Sequence, residues 1–311
     1  MITTVTLNPC IDYTVNVPKL ALGQLNMMDS SRVDFTGKGV NVAVVLAELD
    51  VPAFCTGISF SENHEKLVSR IENAGMGHDF AVEQGSIRTN LKIYDSASGS
   101  MTEINSRGDK VSARVLGLVR EKIISLAKKS DMLVMSGRIP NGASEDIYRE
   151  LMRALRGLPC KIAVDAERRP LVEAVKERPF LIKPNLYELE HSFGKPARTI
   201  PKILSVCGWI ISSGVEVVCV SMGEQGALIA SREGAFHAQA LDVVPRGLQG
   251  AGDSMVAGIC KAATEGRGLR DMLRYGIAAA SASIIREGTK LCRKEDFEEM
   301  CAQVNIEQVG I

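Results

Sequence analysis

MLVMSGRIPNGASEDIYRELMRALRGLPCKIAVD, residues 132–165, decides the fold. Residues 132–136 are apolar almost throughout, as a strand buried on both faces should be. Residues 161–165 form a second short run with an apolar centre, and 145–156 between them has the spacing of a helix. Two strands joined through a helix return to the same sheet side by side and parallel. The same alternation continues outward. Strands are expected at 2–7, 53–58, 180–183, 217–222 and 227–230, and helices at 39–49, 64–74, 113–128 and 170–176. The expected fold is α/β, with a mostly parallel central sheet flanked by helices on both faces.

Two stretches break the rhythm. Residues 12–36 and 85–104 read as extended segments with turns and no helical spacing, and RTNLKIYDSASGSMTEIN (88–105) reads as a hairpin turning at 95–100. Linkers, repeats and low-complexity segments are absent from the sequence. The two stretches are therefore expected to form a small second sheet, a lid inserted into a single domain spanning 1–311.

Composition narrows the partners. Lys plus Arg and Asp plus Glu both count 37, so no global field exists to hold a nucleic acid or an acidic membrane. Aromatics are only 5% of residues, which argues against a base-stacking surface. The eight cysteines are scattered without a CxxC pair, as expected of reduced thiols rather than zinc or disulfides. The amino terminus alternates like a strand instead of resembling a secretion leader. No apolar run approaches the roughly 18 residues that a bilayer requires. A cytoplasmic location is expected, with neither nucleic acid nor membrane as a partner.

Three glycine- or proline-marked turns carry chemistry. GLQGAGDSMVAGI (247–259) puts Gly250, Ala251 and Gly252 ahead of a helix, whose first backbone N–H groups lack partners and face an anion. Asp253, in the same turn, could take a proton from a hydroxyl while those amides hold a transferring phosphoryl group. The plainer alternative is that Asp253 only caps the helix. TGKGVNVAVVLAELD (36–50) offers Lys38, a point charge suited to phosphate, and Asn41, a donor and acceptor for hydroxyls. GxxxxGK[ST] is absent, so this is not a P-loop. In IKPNLYEL (182–189), Asn185 and Glu188 lie three apart at a helix start, either beside hydrated magnesium or as a capping pair. SMGEQGA (221–227) ends an expected strand, and its glycines could admit a nucleotide at the sheet's carboxyl edge. Arg88, Asn90 and Lys92 alternate and so share one face of a strand, which suits a sugar phosphate or an exposed hairpin.

Taken in order, TLNPCIDYTV (6–15), TGKGVNVA (36–43), RTNLKI (88–93), MSGRIPNG (135–142), LIKPNLYEL (181–189), VSMGEQGA (220–227) and GAGDSMVAGI (250–259) resemble the ribokinase-like sugar kinases of the phosphofructokinase B group over nearly the full chain. Within that group the resemblance is greatest to bacterial 1-phosphofructokinases, then tagatose-6-phosphate kinases. It implies a ribokinase-like α/β domain with a β-sheet lid, and ATP-dependent phosphorylation of a ketohexose phosphate. Fructose 1-phosphate is the expected substrate, with tagatose 6-phosphate and fructose 6-phosphate as alternatives. The resemblance makes Asp253 the base, and the amides of Gly250, Ala251 and Gly252 the anion hole. Asp12, Gly37 and Asn41 would bind sugar hydroxyls, while Lys38, Arg88, Asn90 and Lys92 would hold the phosphate already present. Ser136 and Gly137 would approach the sugar. Lys183, Asn185, Ser221, Gly223, Glu224, Gly226 and Gly252 would line the ATP site, with Asn185 and Glu188 on the Mg2+ side. A homodimer through the lid is also implied. The chain departs from the group at Thr36, where glycine is usual, at Arg138 (SGRIP for SGSLP), at Gln249 (for Val), and at DAERRP (165–170). A nicotinamide enzyme is disfavoured because no G-x-G-x-x-G follows the first strand. A non-catalytic sugar-phosphate sensor fits poorly with an intact Asp253 and glycine turn.

Overall fold

The computed structural model describes residues 1–286 and 290–310. In chain order they begin with β1 (Ile2–Thr6), β2 (Cys10–Val17), β3 (Ser30–Thr36), α1 (Lys38–Glu48), β4 (Ala53–Phe60), α2 (His64–Asn73), β5 (Gly77–Glu83), β6 (Arg88–Asp95) and β7 (Ser100–Asn105). Next come α3 (Ala113–Ala127), β8 (Met132–Ser136), α4 (Ile147–Ala154), β9 (Lys161–Asp165), α5 (Arg168–Val175), β10 (Leu181–Ile182), α6 (Leu186–Phe193) and α7 (Ile200–Ser212). The last part holds β11 (Val217–Ser221), β12 (Ala227–Ser231), β13 (Gly234–Ala238), α8 (Ala251–Thr264), α9 (Leu269–Ile284), α10 (Lys294–Gln303) and β14 (Ile306–Val309).

The large sheet runs β14-β13-β12-β11-β10-β9-β8-β1-β4-β5. It is parallel from β5 to β11 and antiparallel from β11 to β14. Alternation along each strand sends side chains to two cores. Val5, Leu133, Met135, Val218 and Val220 pack on one face with α3, α4, α5 and α7. Ile2, Met132, Val134, Val217 and Cys219 pack on the other with α1, α8, α9 and α10. The elements expected from sequence begin or end within two residues of their observed limits. The 180–183 strand keeps only Leu181–Ile182, because Pro184 ends it. β5, β13 and β14 have no counterpart in the sequence expectation, since GHDFAVE, GAFHA and IEQV are short and mixed in polarity.

The two non-alternating stretches pair into a separate four-stranded sheet, β3-β2-β6-β7. Its centre is a parallel pair, β2 with β6, which sets Asp12 beside Asn90 and Cys10 beside Arg88. Asp12 lies within β2, because the chain turns at Asn8 and Pro9 and resumes pairing at Cys10. In the large sheet the strand order switches between β1 and β8. A crevice outside the carboxyl ends of parallel strands is expected at such a point, and the small sheet lies over it.

Candidate active site

Two cavities meet at the mouth of α8. The smaller, about 270 Å³, lies between the small sheet and the switch point, and Asp12, Gly37, Arg88, Asn90, Lys92, Ser136 and Gly137 line it. The larger, about 1020 Å³, has Lys183, Asn185, Glu188, Ser221, Gly223, Glu224 and Gly226 on one side. Leu241, Val243, Ile277, Ala280 and Ile284 form its apolar wall. Lys38, Gly250 and Asp253 border both cavities.

Gly250 makes this junction. Its φ of 74° is left-handed, and a Cβ built there would lie 2.4 Å from Leu291 Cδ2. The chain therefore enters α8 through glycine, with no side chain capping the helix. The first helical hydrogen bond runs from Ser254 N–H to the Gly250 carbonyl at 2.8 Å. The N–H groups of Ala251, Gly252 and Asp253 are left as the positive end of a fourteen-residue helix.

Asp253 does not cap. Its Oδ2 accepts from Asn41 Nδ2 at 2.8 Å, a bond spanning 212 residues of sequence. Asn41 cannot turn round, because Thr36 Oγ1 (2.6 Å) and Arg70 Nη2 (3.2 Å) both donate to its Oδ1. Thr36, which departs from the usual glycine, thus orients the residue that orients Asp253. Asp253 is only 6% exposed. Burial pushes its pKa up to about 6; Asp165 acts the same way, while Lys38, the Asn41 hydrogen bond and Lys183 oppose it.

The cations are mostly committed to carboxylates. Lys38 Nζ lies 3.3 Å from Asp165 Oδ2 and 3.8 Å from Glu188 Oε1, at the border of the cavities rather than deep in the smaller one. Burial acts to lower its pKa, but Asp165, Asp253 and Glu188 outweigh this and hold it above the ordinary lysine value. Lys183 Nζ lies 3.5 Å from Asp165 Oδ1. Lys92 Nζ donates to Asp12 Oδ2 at 2.8 Å, and Asn90 Nδ2 donates to Asp12 Oδ1 at 2.9 Å. Two residues expected to serve different ligand groups thus form one buried ion pair. Arg88 faces amides alone: Nε donates to Asn8 Oδ1 (3.1 Å) and Nη1 to Asn90 Oδ1 (2.8 Å). Asn185 and Glu188 make both bonds of a capping box, at 2.8 and 2.9 Å, leaving Glu188 Oε1 toward the large cavity. Among the described residues, no three histidine, cysteine, aspartate or glutamate side chains gather as a metal cage.

The profile of the pfkB family carbohydrate kinases matches residues 5–296. The chain belongs to this family. Among curated proteins it is 32% identical over 310 residues to the 1-phosphofructokinase of Borreliella burgdorferi, covering 99% of each chain. It is 30% identical over 312 residues to that of Bacillus subtilis, covering 98% of this chain and 99% of the other. Phosphofructokinase-2 from Escherichia coli in complex with substrates and products superimposes with a TM-score of 0.91 at 26% identity, covering 97% and 98% of the two chains. Arabidopsis thaliana ribokinase, with ribose and ATP, does so with a TM-score of 0.81 at 19% identity, covering 96% and 98%, which is a likeness of fold. The fold is ribokinase-like, and the pfkB family makes this chain an ATP-dependent sugar kinase.

Many of the residues expected from sequence line the two cavities, but that reading passed over Asp165, which lines the larger, and Arg70, which holds Asn41. Asp165 is 1% exposed and receives Ser136 Oγ at 3.3 Å besides its two lysines. Burial would raise its pKa, yet Lys183 and Lys38 overcome this and hold it below the ordinary carboxylate value. A signal was present: Asp165 closes a buried parallel strand at its carboxyl end, where sites of this fold class gather. Arg70 lies in the last turn of α2 and carries no local mark of its bond to Asn41.

Proposed function

We propose that this kinase moves the γ-phosphoryl group of ATP onto the free hydroxyl of a ketohexose phosphate. The substrate we assign is fructose 1-phosphate, and the product is fructose 1,6-bisphosphate. The relatives that carry the 1-phosphofructokinase name over their whole length support that choice. One observation carries the reading: a buried carboxylate and three amides, unpaired among the described residues, share one helix mouth, where a small polar cavity meets a larger one. ATP occupies the large cavity, its base against the apolar wall and its phosphates toward Lys183, Ser221 and the glycines at 223 and 226. The sugar phosphate occupies the small cavity, its ring near Asp12, Asn90, Gly37 and Gly137.

Asp253 Oδ1 accepts the hydroxyl proton as the oxygen approaches phosphorus, while Asn41 holds Oδ2 in place. The amides of Ala251 and Gly252, with Lys38, take up the charge on the transferring group. The small sheet closes over the sugar and excludes water, which would otherwise be the acceptor. Magnesium prefers oxygen ligands and retains several waters, so one carboxylate oxygen beside the phosphates fits it. Glu188 Oε1, with Asn185 through water, would hold the ion, which supplies charge neutralisation for the phosphates.

Arg88 has no carboxylate partner among the described residues, so it holds the phosphate already on the sugar. Arg88→Ala is expected to raise KM for the sugar phosphate about 10–100-fold, the worth of charged hydrogen bonds, with kcat little changed. A coupled ADP-release assay reads this, and an unaltered KM would remove Arg88 from the contact. The same assay across fructose 1-phosphate, fructose 6-phosphate and tagatose 6-phosphate tests the assignment through kcat/KM. A higher value for either rival overturns it.

The enzyme works in the cytoplasm as a homodimer built on the small sheet. Support for the location is that all eight cysteines are free; among the described residues no helix is long and apolar enough to cross a membrane. Support for the dimer is that Val33 and Ile104 are 51% and 59% exposed on one face of that sheet, in register with Tyr13 and Leu91. Ile104→Glu is expected to give monomers in sedimentation velocity. Wild-type protein sedimenting as a monomer would end the proposal.

A further inference from the structure

Charge accounting around the small cavity leaves two guanidinium groups for an incoming anion. Lys92 is taken by Asp12, and Lys38 by Asp165 and Glu188. Arg88 faces only amides. Arg138, which also lines the cavity, donates from Nε to Glu167 Oε1 at 3.2 Å. Among the described residues its terminal nitrogens donate to nothing, so the guanidinium fork is open. The side chains of Arg138 and Glu167 are 55% and 31% exposed, and an ion pair in such surroundings is weak and easily exchanged.

Asn8 sets both arginines on one rim. Its Oδ1 accepts from Arg88 Nε, and its Nδ2 donates to the carbonyl of Ile139, next to Arg138, at 2.9 Å. Arg138 and Glu167 also stand in the two segments, SGRIP and DAERRP, where the chain departs from the usual pattern of its relatives. The fold brings these departures into contact across 29 residues.

We propose that Arg138 is a specificity-determining residue that closes with Arg88 on the phosphate already carried by the sugar. Glu167 holds it at the cavity mouth until that phosphate arrives. A phosphate dianion accepts both arms of a guanidinium at once, which a half-exposed carboxylate meeting only Nε does not match. The exchange makes a phosphorylated sugar the ligand that draws Arg138 inward. This inference rests on the sugar-phosphate reading above, and its test is arranged so that the two fail separately.

The experiment compares Arg138→Ser and Glu167→Gln with the wild type. It measures KM for the sugar phosphate, KM for ATP, kcat, and calorimetric affinity for inorganic phosphate. Arg138→Ser is expected to raise KM for the sugar phosphate and weaken inorganic phosphate about 10–100-fold, the range of a lost charged hydrogen-bond pair. KM for ATP and kcat should stay near wild type. Glu167→Gln, which frees the guanidinium, should shift both phosphate readouts in the opposite direction by a few-fold. A merely structural tie would move both variants the same way and disturb KM for ATP, and that outcome overturns the proposal, as does an unchanged phosphate affinity in Arg138→Ser. Should the wild type phosphorylate no ketose phosphate, the substrate assignment falls, while the inorganic phosphate titrations still decide the clamp.

Discussion

Asp253→Asn is expected to lower kcat by about 10²–10⁴-fold, the usual contribution of a positioned base, with nucleotide affinity almost unchanged. The asparagine retains the shape and one acceptor oxygen toward Asn41 but can take no proton. The pH profile supplies a second readout. With Asp253 near pH 6, wild-type kcat/KM should fall on the acid side of about pH 6, and the variant should lose that limb. An acid limb that persists near 6 in Asp253→Asn would assign the titration to another group.

Stability should move the other way. The folded-state pKa of Asp253 lies above the ordinary 3.8 because burial disfavours its charge. Its contribution to stability is therefore fully present below about pH 4 and lost as pH rises through about 6. The gap corresponds to about 3 kcal/mol at neutral pH. Asp253→Asn escapes that loss, so it should melt a few degrees above wild type at pH 8 and level with it at pH 4, by calorimetry. An inactive variant that is also less stable at pH 8 would point to a misfolded site instead of a missing base.

Lys38→Met has the second largest expected effect, a fall in kcat of about 10²–10³-fold, like loss of one donor to a developing charge. Among the described residues Lys38 is the only cation bordering both cavities, and it stands among Asp165, Glu188 and Asp253. Removing it leaves Asp165, 1% exposed, with Lys183 as its one remaining cation among the described residues. Asp253 loses its largest acid-strengthening neighbour, so the acid limb should move to higher pH. Because Lys38 is 37% exposed and Lys183 remains, the stability loss should be about 1–2 kcal/mol, below that of a fully buried pair. Denaturant titration with parallel kinetics checks both. A kcat within about threefold of wild type would place Lys38 outside the transfer step.

What the sequence determined by itself is what lies close together along the chain. Periodicity and apolar runs are properties of five to fifteen neighbouring residues, so the parallel strands, their helices, the 88–105 hairpin and the glycine turn before Asp253 could be read there. The weakly patterned edge strands, β5 and β14, could not, since their stability comes from the neighbours they join. Side-chain partnership was decided by the tertiary structure. No local rule assigns Asn41 to Asp253, Lys92 to Asp12, or Arg138 to Glu167. Asn41 meets Asp253 across α1 and α8, Lys92 meets Asp12 through the pairing of β2 with β6, and Arg138 meets Glu167 just past the paired ends of β8 and β9. Nor could spacing tell whether the N-x-x-E of 185–188 caps its helix or faces a ligand, since one Glu188 oxygen caps and the other points into the large cavity. Asp165 looked like an ordinary strand end until folding placed two lysines beside it. Charge acts through space, so which cations are neutralised and which stay open depends on distances that exist only in the folded chain.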